Sequence, residues 1–196
     1  MAQKREITKA DLIPMSEYAA QRKERRAAIS AIKRNRRVEV GPFATFYFEN
    51  YDTMWYQIHE MLYIEKGGDA QIPDELRAYN PLVPKGNELV ATVMFEIDDP
   101  KRRAEVLARL GGVEETASIS FAGETVKGVP EADIDRTTAA GKASSVQFIH
   151  FPFTKEQIEK FRVPGTQVVI GFSHPNYGHM AIMPESVRET LAQDFD

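Results

Sequence analysis

The chain has 196 residues, a formal net charge of −4 and no cysteine. Its 42% hydrophobic and 28% charged content is ordinary globular usage, enough to bury a core without disulfide or metal staples. The missing thiols exclude disulfides, thiolate zinc, cysteine-ligated iron–sulfur clusters and thiol catalysis. No segment reaches the ~20 apolar residues that span a bilayer, and the N-terminus lacks a secretory h-region. A soluble protein of the bacterial cytoplasm, without membrane, is the expectation.

Charge is unevenly spread. Residues 1–37 hold eleven Lys and Arg against four Asp and Glu, a net of +7, which leaves −11 for the rest. Such a basic arm can meet an acidic partner or lie against the protein's own acidic body.

In chain order, Ser16 reads as an N-cap for a helix to about Arg36, with a thin apolar stripe of Tyr18, Ile29 and Ile32. Two β-rich runs, 38–40 and 43–48, flank Gly41-Pro42 and predict a hairpin. Asn50 or Asp52 can cap a helix over 53–66, stopped by Gly67-Gly68, and a short helix follows at 73–79.

The second half reads as a duplication. Strand 89–97, helix 100–110 and strands 116–121 and 124–129 recur as 145–151, 154–163, 166–173 and 178–183. Val129-Pro130-Glu131 and Met183-Pro184-Glu185 close the two copies. The stretch Ala132 to Ser144 between them is small and polar and reads as a surface loop. The predicted fold is α+β: an antiparallel sheet from two β-α-β-β copies, with N-terminal helices packed on it. One domain spans 1–196, with a helical part and hairpin at 1–85, one copy at 86–131, and the second with a C-terminal helix at 145–196.

Several residues are candidates for chemistry. Thr53, Tyr56, Gln57 and Glu60 share one face of the 53–66 helix, and Glu49 and Asn50 precede it. They can line a polar pocket whose carboxylates take a proton or hold a cation. A pocket face adds little to packing, so Glu60→Gln and Tyr56→Phe are expected to spare stability. Glu65 falls on the apolar face of that helix, though in the last turn it can bend out to water.

His174 and His179 flank the turn Pro175-Asn176-Tyr177-Gly178, and His150 ends a strand of the same copy. Neutral imidazoles suit iron, zinc or copper. A metal-dependent enzyme using Glu49, Glu60 and His174 with His179 is therefore one alternative, but no established metal spacing accompanies them, and no cofactor is evident. Arg34, Arg36 and Arg37 form a basic run that can bind a partner. A nucleic-acid role for residues 22–37 is a second alternative, weakened by the lack of an aromatic-studded sheet. Nucleotide-loop and hydrolase motifs are absent.

The run Phe48-Glu49-Asn50, with Thr53, Tyr56-Gln57-Ile58, Glu60-Met61 and Glu65, resembles the hallmark of a bacterial family of unknown function. Similar pieces are Tyr79-Asn80 with Pro84, Glu88-Leu89 with Ala91-Thr92, Val146-Gln147-Phe148, and His174-Pro175 with Tyr177. They run from Ile7 to the C-terminal helix. The resemblance implies genes beside rubrerythrin and a heterodisulfide-reductase-like iron–sulfur protein, hence an accessory role in a redox or oxidative-stress system with one of these as partner. It supplies no catalytic residues.

Overall fold

A computed structural model describes residues 4–131, 137–138 and 141–196. Helix α1 spans Met15–Arg34 and is followed by strands β1 (Arg37–Val40) and β2 (Ala44–Phe48). Helices α2 (Tyr51–Glu65) and α3 (Ile72–Tyr79) come next. The first repeat copy is β3 (Glu88–Phe95), α4 (Pro100–Leu107), β4 (Ala117–Phe121) and β5 (Glu124–Lys127). After β6 (Val129–Pro130), the second is β7 (Val146–Pro152), α5 (Lys155–Arg162), β8 (Val168–His174) and β9 (Tyr177–Ile182). Helix α6 (Glu185–Leu191) is followed by a 3-10 turn at Ala192–Asp194. Among the described residues no helix is long and apolar enough to cross a membrane.

The α+β class holds, but the strands build two antiparallel sheets instead of one. One has the order β1-β2-β3-β7-β6, the other β5-β4-β8-β9. Each repeat copy gives its first strand to the first sheet and its last two to the second. The pairs β3–β7 and β4–β8 therefore sit at like positions, and β5 and β9 form the two edges of the second sheet. This arrangement is what a pseudo-twofold between the copies produces.

The inward apolar faces of the two sheets bury each other. Phe46, Ala91, Val93, Ile149 and Phe151 face Ile119, Phe121, Ile170 and Phe172 in one continuous core. The rings of Phe46 and Phe172 stack at 5.0 Å. The period of two sends Val90 and Phe148 to the opposite face, where Met54, Ile58 and Leu62 of α2 cover them. Helix α1 rides on α2 and buries only Tyr18 and Ile29, as its thin stripe predicts. Ile32, placed on that stripe, is instead 36% exposed.

Ser16 is not the N-cap, since α1 starts at Met15 after Pro14, and the predicted helix 100–110 ends at Leu107. Helix α1 stops at Arg34, because Asn35 and Arg36 turn the chain into β1. The predicted strand 124–129 is split at Gly128, where the chain leaves the second sheet for the first. A Cβ at Gly128 would stand 2.6 Å from the Ile149 side chain. The two Pro-Glu closures also diverge: Val129-Pro130 joins the edge of the first sheet, while Pro184 caps α6. The predicted loop at Ala132 to Ser144 lies mostly outside the described residues. Its end is not surface, since Ala143 is buried and donates its N–H to the Leu107 carbonyl at 2.9 Å.

Candidate functional site

The predicted polar pocket divides into two internal networks. The first starts α2. Asn50 is the N-cap, its Oδ1 accepting from the Thr53 N–H and its own N–H donating to Thr53 Oγ1, both at 2.9 Å. Thr53 Oγ1 donates to Glu49 Oε2 at 2.6 Å, and Thr92 Oγ1 donates to Glu49 Oε1 at 2.7 Å. Glu49 and Thr53 are both buried. Asn50 Oδ1 satisfies one of the orphan N–H groups of the helix start, and the Glu49 carboxylate holds the Thr53 and Thr92 hydroxyls beside it.

The second network fixes α1 to α2. Tyr18 Oη donates to Glu60 Oε1 at 2.7 Å, and Arg22 forks onto both Glu60 oxygens at 2.9 Å. The Arg22 hydrogen bonds hold the Glu60 carboxyl below its ordinary range against the opposing effect of burial. Tyr56 packs 6.5 Å from the Tyr18 ring, and Gln57 reaches Tyr79 Oη at 3.5 Å. This face of α2 is thus a seat for α1 and α3. The expectation that substitutions here spare stability is corrected: Glu60→Gln removes the charge that a guanidinium and a phenol address. We expect a loss of about 1–2 kcal/mol, read as a lower urea midpoint. Wild-type stability in Glu60→Gln would refute this seat. Glu65 turns to the surface, as its last-turn position allowed, and accepts from Gln71 Nε2 at 2.7 Å.

The histidines do not converge. His174 Nε2 bonds the Gly111 carbonyl at 3.1 Å and its Nδ1 accepts from the Asn176 N–H at 3.2 Å. His179 packs its ring 4.7 Å from that of Tyr177. His150 instead lies between two carboxylates, Nδ1 to Glu88 at 2.9 Å and Nε2 to Glu131 at 3.2 Å. Burial pulls its pKa down, but the hydrogen bonds and charges of Glu131 and Glu88 outweigh that and push it up to about 9. It is an imidazolium at neutral pH, with both nitrogens engaged. Among the described residues no three His, Asp or Glu side chains converge as metal ligands, so Glu49, Glu60, His174 and His179 form no common centre.

His59 is a residue that sequence reasoning missed. It is fully buried on α2, stacked between Tyr18 and Trp55 with centroids at 5.0 and 3.7 Å. Its Nε2 accepts from the Ile13 N–H at 3.2 Å, which leaves Nδ1 to donate to the Trp55 carbonyl at 2.7 Å. Burial lowers its pKa, so it is a neutral packing element. Its position four residues after Trp55, beside the apolar row, was the available signal.

The basic run is also split. Arg36 is 3% exposed: its Nε donates to the Phe48 carbonyl, its Nη2 to the Glu49 carbonyl, and it pairs with Asp194. As a partner-binding residue it is corrected, because a guanidinium holding two carbonyls and a carboxylate is unreachable. Arg34 and Arg37 do reach the surface. With Ser30, Lys33 and Tyr47 they wall an open groove of about 560 Å³ at the C-terminal end of α1. Lys33 and Arg34 occupy the last turn, where cations favour the helix dipole. Of the three cations only Arg37 holds a carboxylate among the described residues, that of Glu39 at 3.2 Å.

A second cavity, of about 380 Å³, opens at the start of α2 beside Asn50, Tyr51 and Asp52. Its cations are neutralised internally: Lys4 by Asp11, Arg5 by Asp196 and Arg36 by Asp194. That leaves little field for a charged ligand, and the α1 groove has the more available charge.

Comparison with known proteins agrees with this architecture. The family model described as "Protein of unknown function (DUF3501)" matches residues 6–195. A crystal structure from Burkholderia pseudomallei K96243, described as a novel protein of unknown function, is 36% identical. The match covers 97% of this chain and 99% of that one, with a TM-score of 0.90. No curated protein matches.

Proposed function

We propose, for a chain that belongs to the DUF3501 family of proteins of unknown function, that it is an accessory protein which docks an acidic partner on the α1 groove. The observation that carries this reading is the trio Lys33, Arg34 and Arg37 on a groove shared with Tyr47, with only one carboxylate among the described residues committed to them. Opposed surface charge raises the encounter rate and fixes orientation, and Tyr47, its hydroxyl held by Glu96 at 2.8 Å, adds an aromatic wall. The partner in this reading belongs to a bacterial redox or oxidative-stress system, and rubrerythrin and the iron–sulfur protein named above are the ones to try.

The test is a titration of rubrerythrin, and separately of the iron–sulfur protein, against wild type and Lys33→Glu/Arg34→Glu. Loss of about tenfold or more in affinity is expected, with the melting temperature lowered by only a few degrees, the cost of placing two anions in the last turn of α1. Affinity should also fall with salt, since exposed charges are screened within about 10 Å at 0.1 M. Equal binding by the variant refutes the groove. A micromolar, steeply salt-dependent complex with duplex DNA would turn the reading to nucleic acid.

A further inference from the structure

At the other end of the β1–β2 hairpin, α4 and the β8–β9 turn enclose a separate cavity of about 360 Å³. Small-molecule sites begin at about 300 Å³ and combine an apolar wall with a few polar groups. The floor here is apolar. Tyr177 is buried and presents only its ring, because its hydroxyl donates to the Val40 carbonyl and accepts from the Phe43 and Ala44 N–H groups. The half-buried Phe43 ring stacks on it at 6.3 Å, and Val106 and Leu110 complete the wall.

The mouth is cationic. Arg102 and Val106 stand at i and i+4 on one side of α4, and Arg109 follows in the turn after the helix, so two guanidiniums flank an apolar residue. Arg102 lies 5.2 Å over the Phe43 ring. Neither arginine has an ion-pair partner among the described residues, although Glu105 stands on the same rim. The rim carries a net +1, and among the described residues neither guanidinium donates to a carboxylate. Guanidinium forks fit a planar carboxylate in two-point contact.

We propose that this cavity binds a small amphipathic acid: a carboxylate at Arg102 and Arg109, with an aromatic or branched apolar body on Phe43, Val106 and Tyr177. The site is independent of the α1 groove, whose Tyr47 pairs with Arg37 at the far end of β1.

Titration with 2-naphthoate, followed by calorimetry and by NMR shifts of the full chain, tests it. One saturable site is expected, with shifts at Phe43, Val106 and Tyr177. Arg102→Gln and Arg109→Gln should each weaken binding about fivefold or more, and the uncharged 2-naphthalenemethanol about tenfold. Inorganic phosphate alone should not compete at millimolar concentration, since it cannot use the floor. Both arginines are exposed, so a thermal melt should show the variants folded. No saturation by 2-naphthoate, affinity indifferent to both substitutions, or equal binding of the alcohol would each overturn the assignment.

Discussion

Arg36→Ala should destabilise the protein by about 3–5 kcal/mol, the range for breaking one side of a buried ion pair. The substitution strands the Asp194 carboxylate, whose side chain is 6% exposed, and takes donors from the Phe48 and Glu49 carbonyls. It also unfastens the segment after α6 from the junction of β2 and α2. For a chain of this size the melting temperature should fall by about 10 °C. Asp194→Ala should have a similar effect. The double variant Arg36→Met/Asp194→Leu should recover much of the loss, because replacing both partners removes the stranded charge. Chemical denaturation of all three decides it. A single variant as stable as wild type would mean that this pair does not hold the chain's end.

The contrast between Arg36 and its neighbours shows what was legible in the sequence. Lys33-Arg34-Asn35-Arg36-Arg37 reads as one basic run, yet its members separate into surface and core. The partner that draws Arg36 inward is 158 positions away, beyond any local pattern. Glu60 has the same history, since its partners Tyr18 and Arg22 lie on a different helix. Local rules did better. The Asn50 cap, the hairpin across Gly41-Pro42 and the repeated strand–helix–strand–strand order are all present. Their causes, turn chemistry and capping, act within a few residues. The division into two sheets was hidden because alternation with a period of two looks the same whichever sheet a strand joins. The α4 cavity was hidden too, being assembled from β1–β2, α4 and β8–β9, which only the tertiary fold brings together.

His150 makes stability depend on pH in a direction that can be stated in advance. Its folded pKa is raised to about 9 by Glu131 and Glu88, against an ordinary value of 6.5. A cation bound more tightly in the folded state contributes fully below the unfolded pKa and loses that contribution as pH rises through the folded one. Unfolding free energy should therefore decline between about pH 6.5 and 9. The loss is on the order of 2–3 kcal/mol, allowing for the partly exposed imidazole. His59 acts on the other side. Burial lowers its folded pKa, so its contribution is present above the unfolded value and shrinks as pH falls below about 6.5. The lysine and tyrosine groups with raised values titrate above this window. Urea denaturation of wild type at intervals from pH 6.5 to 9.5 measures the alkaline slope. His150→Gln keeps a polar side chain between the carboxylates but cannot hold the proton, and should flatten that slope. Any decline that persists unchanged in the variant belongs to other groups, and the clamp formed by Glu88, His150 and Glu131 would then contribute no alkaline sensitivity.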